Sequence, residues 1–339
     1  MSSLNRLSAK LEDLEEEEND IRKKLKFLRK EILVKTDSEA KYELRQRIDE
    51  SEARLEEIDE EIELLENKIS RFEQSENTDS YQTFDCLYKS LLKLGYWEQH
   101  LLFQEVSEKH SHGAFLIQGY SKDYGQRWLL KRLASSIPNV LNGKKIIVDL
   151  KRTSSKTDIL AIWHDFARRA GLSEKASPTE ITHQICELKK SQNVLVVFDN
   201  VDETAKENLC DLLNIFWKSL TQTLSHSQSQ QSDFKLLIFF LDYQGVVTPW
   251  NAGFAERFDS QWQPESPLGL PNINSFSDRD LREWLNYESD SLPSALSTNK
   301  TEAVQTLLKE QGIPIFTLAR ICSLCGCSWF DQEGQWLSL

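Results

Sequence analysis

Ala114–Leu133, AFLIQGYSKDYGQRWLLKRL, decides how the rest of the chain is read. Ala114–Gln118 is an apolar run with the length of a buried strand, Gly119–Gly125 a loop bracketed by glycines, and an amphipathic helix is expected from Gln126. Strand, glycine-rich loop and helix, in that order, make a phosphate-binding loop, in which backbone N–H groups and the helix N-terminus cradle an anion. The motif asks for G-x-x-x-x-G-K-[ST], and this loop departs from it. Gly119 and Gly125 stand one residue too far apart, Gln126 replaces the lysine that reaches the phosphates, and Arg127 replaces the hydroxyl that ligates Mg²⁺. Asp123 adds negative charge to a loop meant for a polyanion. The scaffold of a nucleotide site is present and its charges are missing.

Asn193–Asp202, NVLVVFDNVD, supplies the second half of such a site. An apolar strand that ends in an acid sets a carboxylate at the carboxyl edge of a sheet, where Asp199 could hold the water shell of Mg²⁺. The next position often carries an acid that polarises the attacking water; here it is Asn200, whose amide cannot accept that proton. Phe234–Asp242 (FKLLIFFLD) and Lys145–Leu150 (KIIVDL) are further apolar strands, with no arginine or serine after Asp242 and Tyr243 to sense a γ-phosphate. Helical patterns at Phe84–Lys109 (broken at Gly95), Asp158–Ala170, Thr179–Lys190 and Asp202–Leu220 alternate with them. The alternation predicts a parallel sheet covered on both faces. Pro249–Pro271 is expected to be irregular, with a short strand at Gly269–Leu270. Ser277 and Asp280 form a near capping box ahead of a helix running to Leu285, and Thr301–Gln311 and Ile315–Cys325 are the closing helices. Trp329–Leu339 has no strong pattern.

The first 75 residues follow a different rhythm. Leu4, Leu7, Leu11, Leu14, Ile21, Leu25, Leu28 and Ile32 fall on three- and four-residue spacings, with Glu18 interrupting one core position, and Leu44, Ile48, Ser51, Leu55, Ile58, Ile62, Leu65, Ile69 and Phe72 follow the same rhythm. Two helices with such seams face one another or other chains. The register of apolar positions shifts across Lys35–Ser38, which favours an antiparallel hairpin with Thr36, Asp37 or Ser38 as cap. The basic block Arg22–Lys30 is expected to pair with Glu50–Glu63. A thin two-helix seam suits association, with Leu28, Ile32, Leu55, Ile58 and Ile62 as candidate interface residues; a hairpin packed only on its own body is the plainer alternative.

Net charge is −13 and the pI about 5.1, which argues against a nucleic-acid face or an anionic membrane surface. No apolar run is long enough to span a membrane, the N-terminus lacks the core of a secretory signal, and six scattered cysteines suit a reducing cytoplasm. Cys322, Cys325 and Cys327 lack a second pair to complete a zinc site, so no metal is expected.

With the loop, the acid-ended strand and PLGLPNINSFSDRDLREWL in this order, the body resembles the STAND class of P-loop NTPases, switch ATPases of signalling and bacterial defence. The likeness is closer to the inactive STAND domains of bacterial conflict systems. Their loop also reads GQRWLL, here Gly125–Leu130, where the active class has GKT, and VVFDNVD is the other specific stretch. The likeness spans most of residues 85–325, and the hairpin resembles the helical effector-associated adaptors placed ahead of such domains. The resemblance implies an antiparallel coiled-coil hairpin (1–75), a degenerate P-loop NTPase-like α/β domain (81–265) and a helical C-terminal part (266–339). It also implies a non-catalytic adaptor or sensor for antiphage defence. The expected partner is an effector protein of protease, nuclease or TIR-like type, held through the hairpin, or a second copy. Gly119, Gly125, Gln126, Arg127 and Asp199 are the positions where a cofactor would sit. No cofactor is expected; the alternative is an ATP- or ADP-binding switch with a non-standard loop, Lys122 swinging in and Arg127 meeting a phosphate. The plainer view of the loop is a tight turn, with Asp123 and Arg127 paired where the phosphate would have been.

Overall fold

The computed structural model describes part of the residues between 10 and 65, and then 84–151, 158–226, 233–289 and 292–339. The chain divides into two compact units, Met1–Asp85 and Cys86–Leu339.

The second unit is built on a five-stranded sheet: β1 (His112–Gln118), β2 (Lys144–Asp149), β3 (Val194–Asp199), β4 (Leu236–Asp242) and the two-residue β5 (Leu268–Gly269). All neighbours run parallel, in the order β2-β3-β4-β1-β5. Such strands are apolar on both faces because helices must cover both. On one face Phe115, Ile117, Leu195, Val197, Phe239 and Leu241 pack under α1 (Trp97–Lys109) and α2 (Gln126–Ser135). On the other, Leu116, Val148, Val196, Phe198 and Phe240 pack under α3 (Ile159–Arg169), α4 (Pro178–Ser191), α5 (Lys206–Asp211) and α6 (Lys218–His226). The remaining helices, α7 (Asp278–Tyr287), α8 (Ser294–Ser297), α9 (Lys300–Leu307), α10 (Pro314–Leu324) and α11 (Trp329–Trp336), share the core of the first face.

This order creates a switch point. The chain leaves β1 toward the β2 side, whereas it leaves β4 toward β5 on the opposite side, which opens a crevice at the carboxyl ends of β1 and β4. Gly119–Gly125 follows β1 directly into it.

Several expectations shift. The short edge strand is Leu268–Gly269, one residue earlier than read, pairing with Phe115 and Leu116. The helix expected over Asp202–Leu220 is interrupted. Val201–Glu203 is a 3₁₀ turn, Ala205 is extended, and Leu212–Trp217 forms a π-helical turn between α5 and α6. The break arises because Asp202 is drawn back to β4, accepting from Tyr243 N–H at 3.3 Å and Gln244 Nε2 at 2.9 Å. Trp329–Leu339 holds α11, capped by Ser328 and fixed by an aromatic cluster. Trp128 lies 5.1 Å from Trp329 and 5.8 Å from Tyr88, and Trp336 lies 5.7 Å from Trp329. The break in the first body helix falls where expected, with Gly95 and Tyr96 both in the left-handed region. The Ser277–Asp280 capping box is complete.

In the first unit the described residues from Lys10 to Leu28 and from Leu44 to Leu65 are helical. Lys10 Nζ lies 3.8 Å from Glu61, and Arg54 Nη2 lies 3.0 Å from Glu17, so the two stretches run antiparallel. Leu14, Ile58 and Leu65 form the buried seam, with Leu11, Ile21 and Ile62 packed against it. This register corrects the expected pairing of charges. Residues 50–61 lie beside 10–21, not beside the basic block from Arg22. Of the candidate interface residues, Ile58 is fully buried and Leu28 nearly so, whereas Leu55 and Ile62 are half-buried. Ile32, the expected turn at 35–38 and residues 75–80 and 227–232 lie outside the described residues.

Candidate functional site

The loop in the crevice is closed on itself. Ser121 is extended and its Oγ accepts the Asp123 N–H at 3.2 Å, which starts a 3₁₀ turn over Lys122–Tyr124. Tyr124 N–H donates to Ser121 O, Gly125 N–H to Lys122 O, and Gly119 N–H to Asp242 O. Four backbone donors that a phosphate would need are therefore spent inside the protein.

Gln126 fills the hollow that remains. Its side chain is fully buried, and Nε2 donates to Ser121 O at 3.0 Å and to Asp242 O at 3.3 Å. The amide bridges the carbonyls of β4 and the loop, where a lysine would have presented a cation to a phosphate. The two glycines serve this packing. A Cβ on Gly119 would stand 2.7 Å from Gln126 Nε2, and one on Gly125 (φ 74) would stand 2.7 Å from Tyr96 Oη. Tyr96 itself donates to Tyr124 O at 3.1 Å, and α10 packs on the loop's 3₁₀ turn.

Asp199 is equally committed. One carboxylate oxygen is ion-paired to the Arg127 guanidinium, and the other accepts the Tyr243 hydroxyl at 2.7 Å. Burial opposes the charge on Arg127, but the hydrogen bond and charge of Asp199 outweigh it and raise its pKa. Burial, with the Asp199 charge, also raises the Tyr243 phenol, which is therefore the donor. Lys122 does not reach into the loop; its ammonium lies 5.0 Å above the Tyr243 ring. Asp123 turns back to Ser121, so the expected Asp123–Arg127 pair is replaced by Arg127–Asp199. Asn200, left-handed at φ 58, donates its amide to Asp149 at 2.8 Å. These residues do not fit a magnesium nucleotide: four of the loop's backbone donors are spent, its hollow is filled and both Asp199 oxygens are taken.

Tyr243 and Asp149 are the members of the site that motif matching passes over. Tyr243 follows the last residue of β4, and Asp149 ends β2 as the register partner of Asp199. Both could be found only by asking what lies at the carboxyl end of every strand.

Asn200→Asp is expected to destabilise the protein by about 2 kcal/mol at neutral pH, because it turns a donor to Asp149 into a facing carboxylate. Urea denaturation measures the difference; a variant as stable as the parent would show that this bond carries nothing.

Cavities outside the loop are also present among the described residues. One of about 440 Å³ lies between the start of α1 and Asn274–Glu283, lined by Trp97, Gln99 and Arg279. Another, about 230 Å³, is bounded by Arg127, Asp199, Val197 and Leu337–Leu339, with Lys131 Nζ donating to Ser338 O. Burial raises the Cys322, Cys325 and Cys327 thiols, Cys325 to about 12, which makes them poor nucleophiles. Among the described residues no group of three or more His, Cys, Asp or Glu is placed to hold a metal, and no helix is long and apolar enough to cross a membrane.

Among solved structures, the chain is similar to the ORC2 protein of Aeropyrum pernix in ADPNP–ADP complexes, at 12% identity and a TM-score of 0.39, over 70% of this chain and 62% of that one. The ADP form of the same protein gives 13% and 0.37, over 70% and 63%. Drosophila ORC bound to DNA gives 12% and 0.33, over 62% and 34%. The chain thus spans less than two thirds of each of these relatives. No curated protein matches the sequence. Residues 91–242, from the end of the helix that precedes α1 to the last residue of β4, match the family model described as inactive STAND, iSTAND, and this segment is accordingly similar to an NTPase-like domain of the inactive kind.

Proposed function

We propose that this protein is a non-catalytic adaptor or sensor, in which a degenerate STAND-type α/β domain serves as a fixed platform and the helical hairpin couples it to an effector protein. The observation that carries this is the filled phosphate loop, with the Gln126 amide in its hollow and Arg127 on Asp199. Phosphoryl transfer depends on positioned charge from a lysine, Mg²⁺ and a polarising acid, and the loss of one such group costs about 10²–10³ in rate. Gln126, the committed Asp199 and Asn200 stand at those three places. What the loop still does is mechanical. It is tied to α2 and β4 through Gln126, and α2 to β3 through Arg127, which fixes the crevice that would open and close in a switch. Such a protein belongs in the cytoplasm, in a signalling or defence system whose effector, a protease, nuclease or TIR-like enzyme, does the chemistry.

The test is phosphate release from ATP with Mg²⁺. The protein and its Asp199→Ala variant are both expected to match the buffer blank. Release by the parent that disappears in Asp199→Ala would overturn the adaptor and restore a working ATPase.

A further inference from the structure

The charges of the hairpin are divided between its ends. From Lys10 to Glu17 is seven residues up one helix, and from Glu61 to Arg54 is seven down the other; both of these facing pairs are of opposite sign. Continued one heptad further, the register of these pairs puts Lys24 at the level of Arg47; both are exposed, with no carboxylate partner among the described residues. The sequence repeats the division. Residues 22–47 hold ten Lys and Arg against four Asp and Glu, whereas residues 48–75 hold three against eleven and residues 1–21 two against seven. Among the described residues, the end that holds Arg22, Lys23, Lys24 and Arg47 carries no acid, whereas the other end carries Glu17, Glu18, Asp20, Glu50 and Glu61 against Lys10 and Arg54. Along its length Leu11, Ile21, Ile48, Leu55 and Ile62 remain partly exposed, because two helices cannot cover a full apolar stripe.

We propose that this hairpin also pairs with a second copy of itself, laid antiparallel, so that the basic end of each lies on the acidic end of the other and the effector docks on the pair. This rests on the association role given to the hairpin above and adds the partner and its orientation. A surface with one basic and one acidic end is complementary to its own two-fold image. A parallel pair would set cation on cation and acid on acid. Four antiparallel-packed helices also cover the half-buried leucines and isoleucines that two leave open. Lys24 and Arg47, which have no acid of their own among the described residues, meet acids of the neighbour in this arrangement, Glu50 among them.

The experiment is sedimentation equilibrium of the full chain, alone and as two charge-reversed variants, Lys24→Glu/Arg47→Glu and Glu17→Lys/Glu50→Lys. Expected is a dimer that weakens about tenfold as salt rises from about 0.05 to 0.5 M. Each variant alone is expected to dimerise at least about tenfold more weakly than the parent, since two charge pairs are reversed at each end. An equimolar mixture of the two variants is expected to regain the parent's affinity, which also shows that both are folded. A dimer that Lys24→Glu/Arg47→Glu leaves unchanged would overturn the antiparallel arrangement, as a parallel pair would only trade one like-charge contact for another. A chain that stays monomeric would overturn self-pairing but not the adaptor, whose hairpin would then serve a different protein. Turnover of ATP would strike the adaptor alone.

Discussion

Arg127→Ala is expected to lower the stability of the body by about 3 kcal/mol, the low end of the cost of removing one partner from a buried ion pair. Asp199 is the reason. Its side chain is 2% exposed, so without the guanidinium a buried carboxylate would keep only the Tyr243 hydroxyl. The Arg127 side chain is 54% exposed, and this screening is why the upper end of the range is not expected. Adding Asp199→Asn to Arg127→Ala removes the stranded charge and should recover a good part of the loss. Urea denaturation of the two single variants and the double one gives the coupling directly. An Arg127→Ala protein within about 0.5 kcal/mol of the parent would mean that the pair is not made in solution.

Trp128→Ala should cost more, about 3–5 kcal/mol, as expected for a large buried aromatic side chain truncated where neighbours cannot collapse. Trp128 is fully buried, one position along α2 from Arg127, and its ring meets Tyr88, Trp329 and Trp336. The cluster therefore fastens α11 to the helix that follows the loop. Its loss should show first at α11, with amides of Trp329–Trp336 exchanging faster than those of β1, β3 and β4. Uniform loss of protection across the body would place Trp128 in the global core instead.

The sheet was legible because buried parallel strands are written as continuous apolar runs, and LIFFLD and VLVVFD admit few other readings. The degenerate loop was legible residue by residue, since glycine spacing and the identities of Gln126 and Arg127 are local facts. Where those side chains go was not. Gln126 reaches a carbonyl of β4, and Arg127 reaches Asp199 at the end of β3, across distances that only the tertiary fold sets. The charge pairing of the hairpin was misjudged for a similar reason, because apolar periodicity fixes a seam but leaves the cross-helix register open. The C-terminal helix had a readable signal that went unused: Trp329 and Trp336, seven residues apart, fall on one face and meet the same ring.

The filled phosphate loop is tested most directly by calorimetric titration of the intact chain with ATP, and with ADP, in the presence of Mg²⁺. With Gln126 in the hollow and both Asp199 oxygens engaged, the expected result is heat no greater than that of dilution for either nucleotide, in the parent and in Gln126→Ala alike, since Arg127 still closes the acid. Saturable binding by the parent that is lost in Asp199→Ala would contradict it, and would show that Arg127 and Gln126 give way to a ligand.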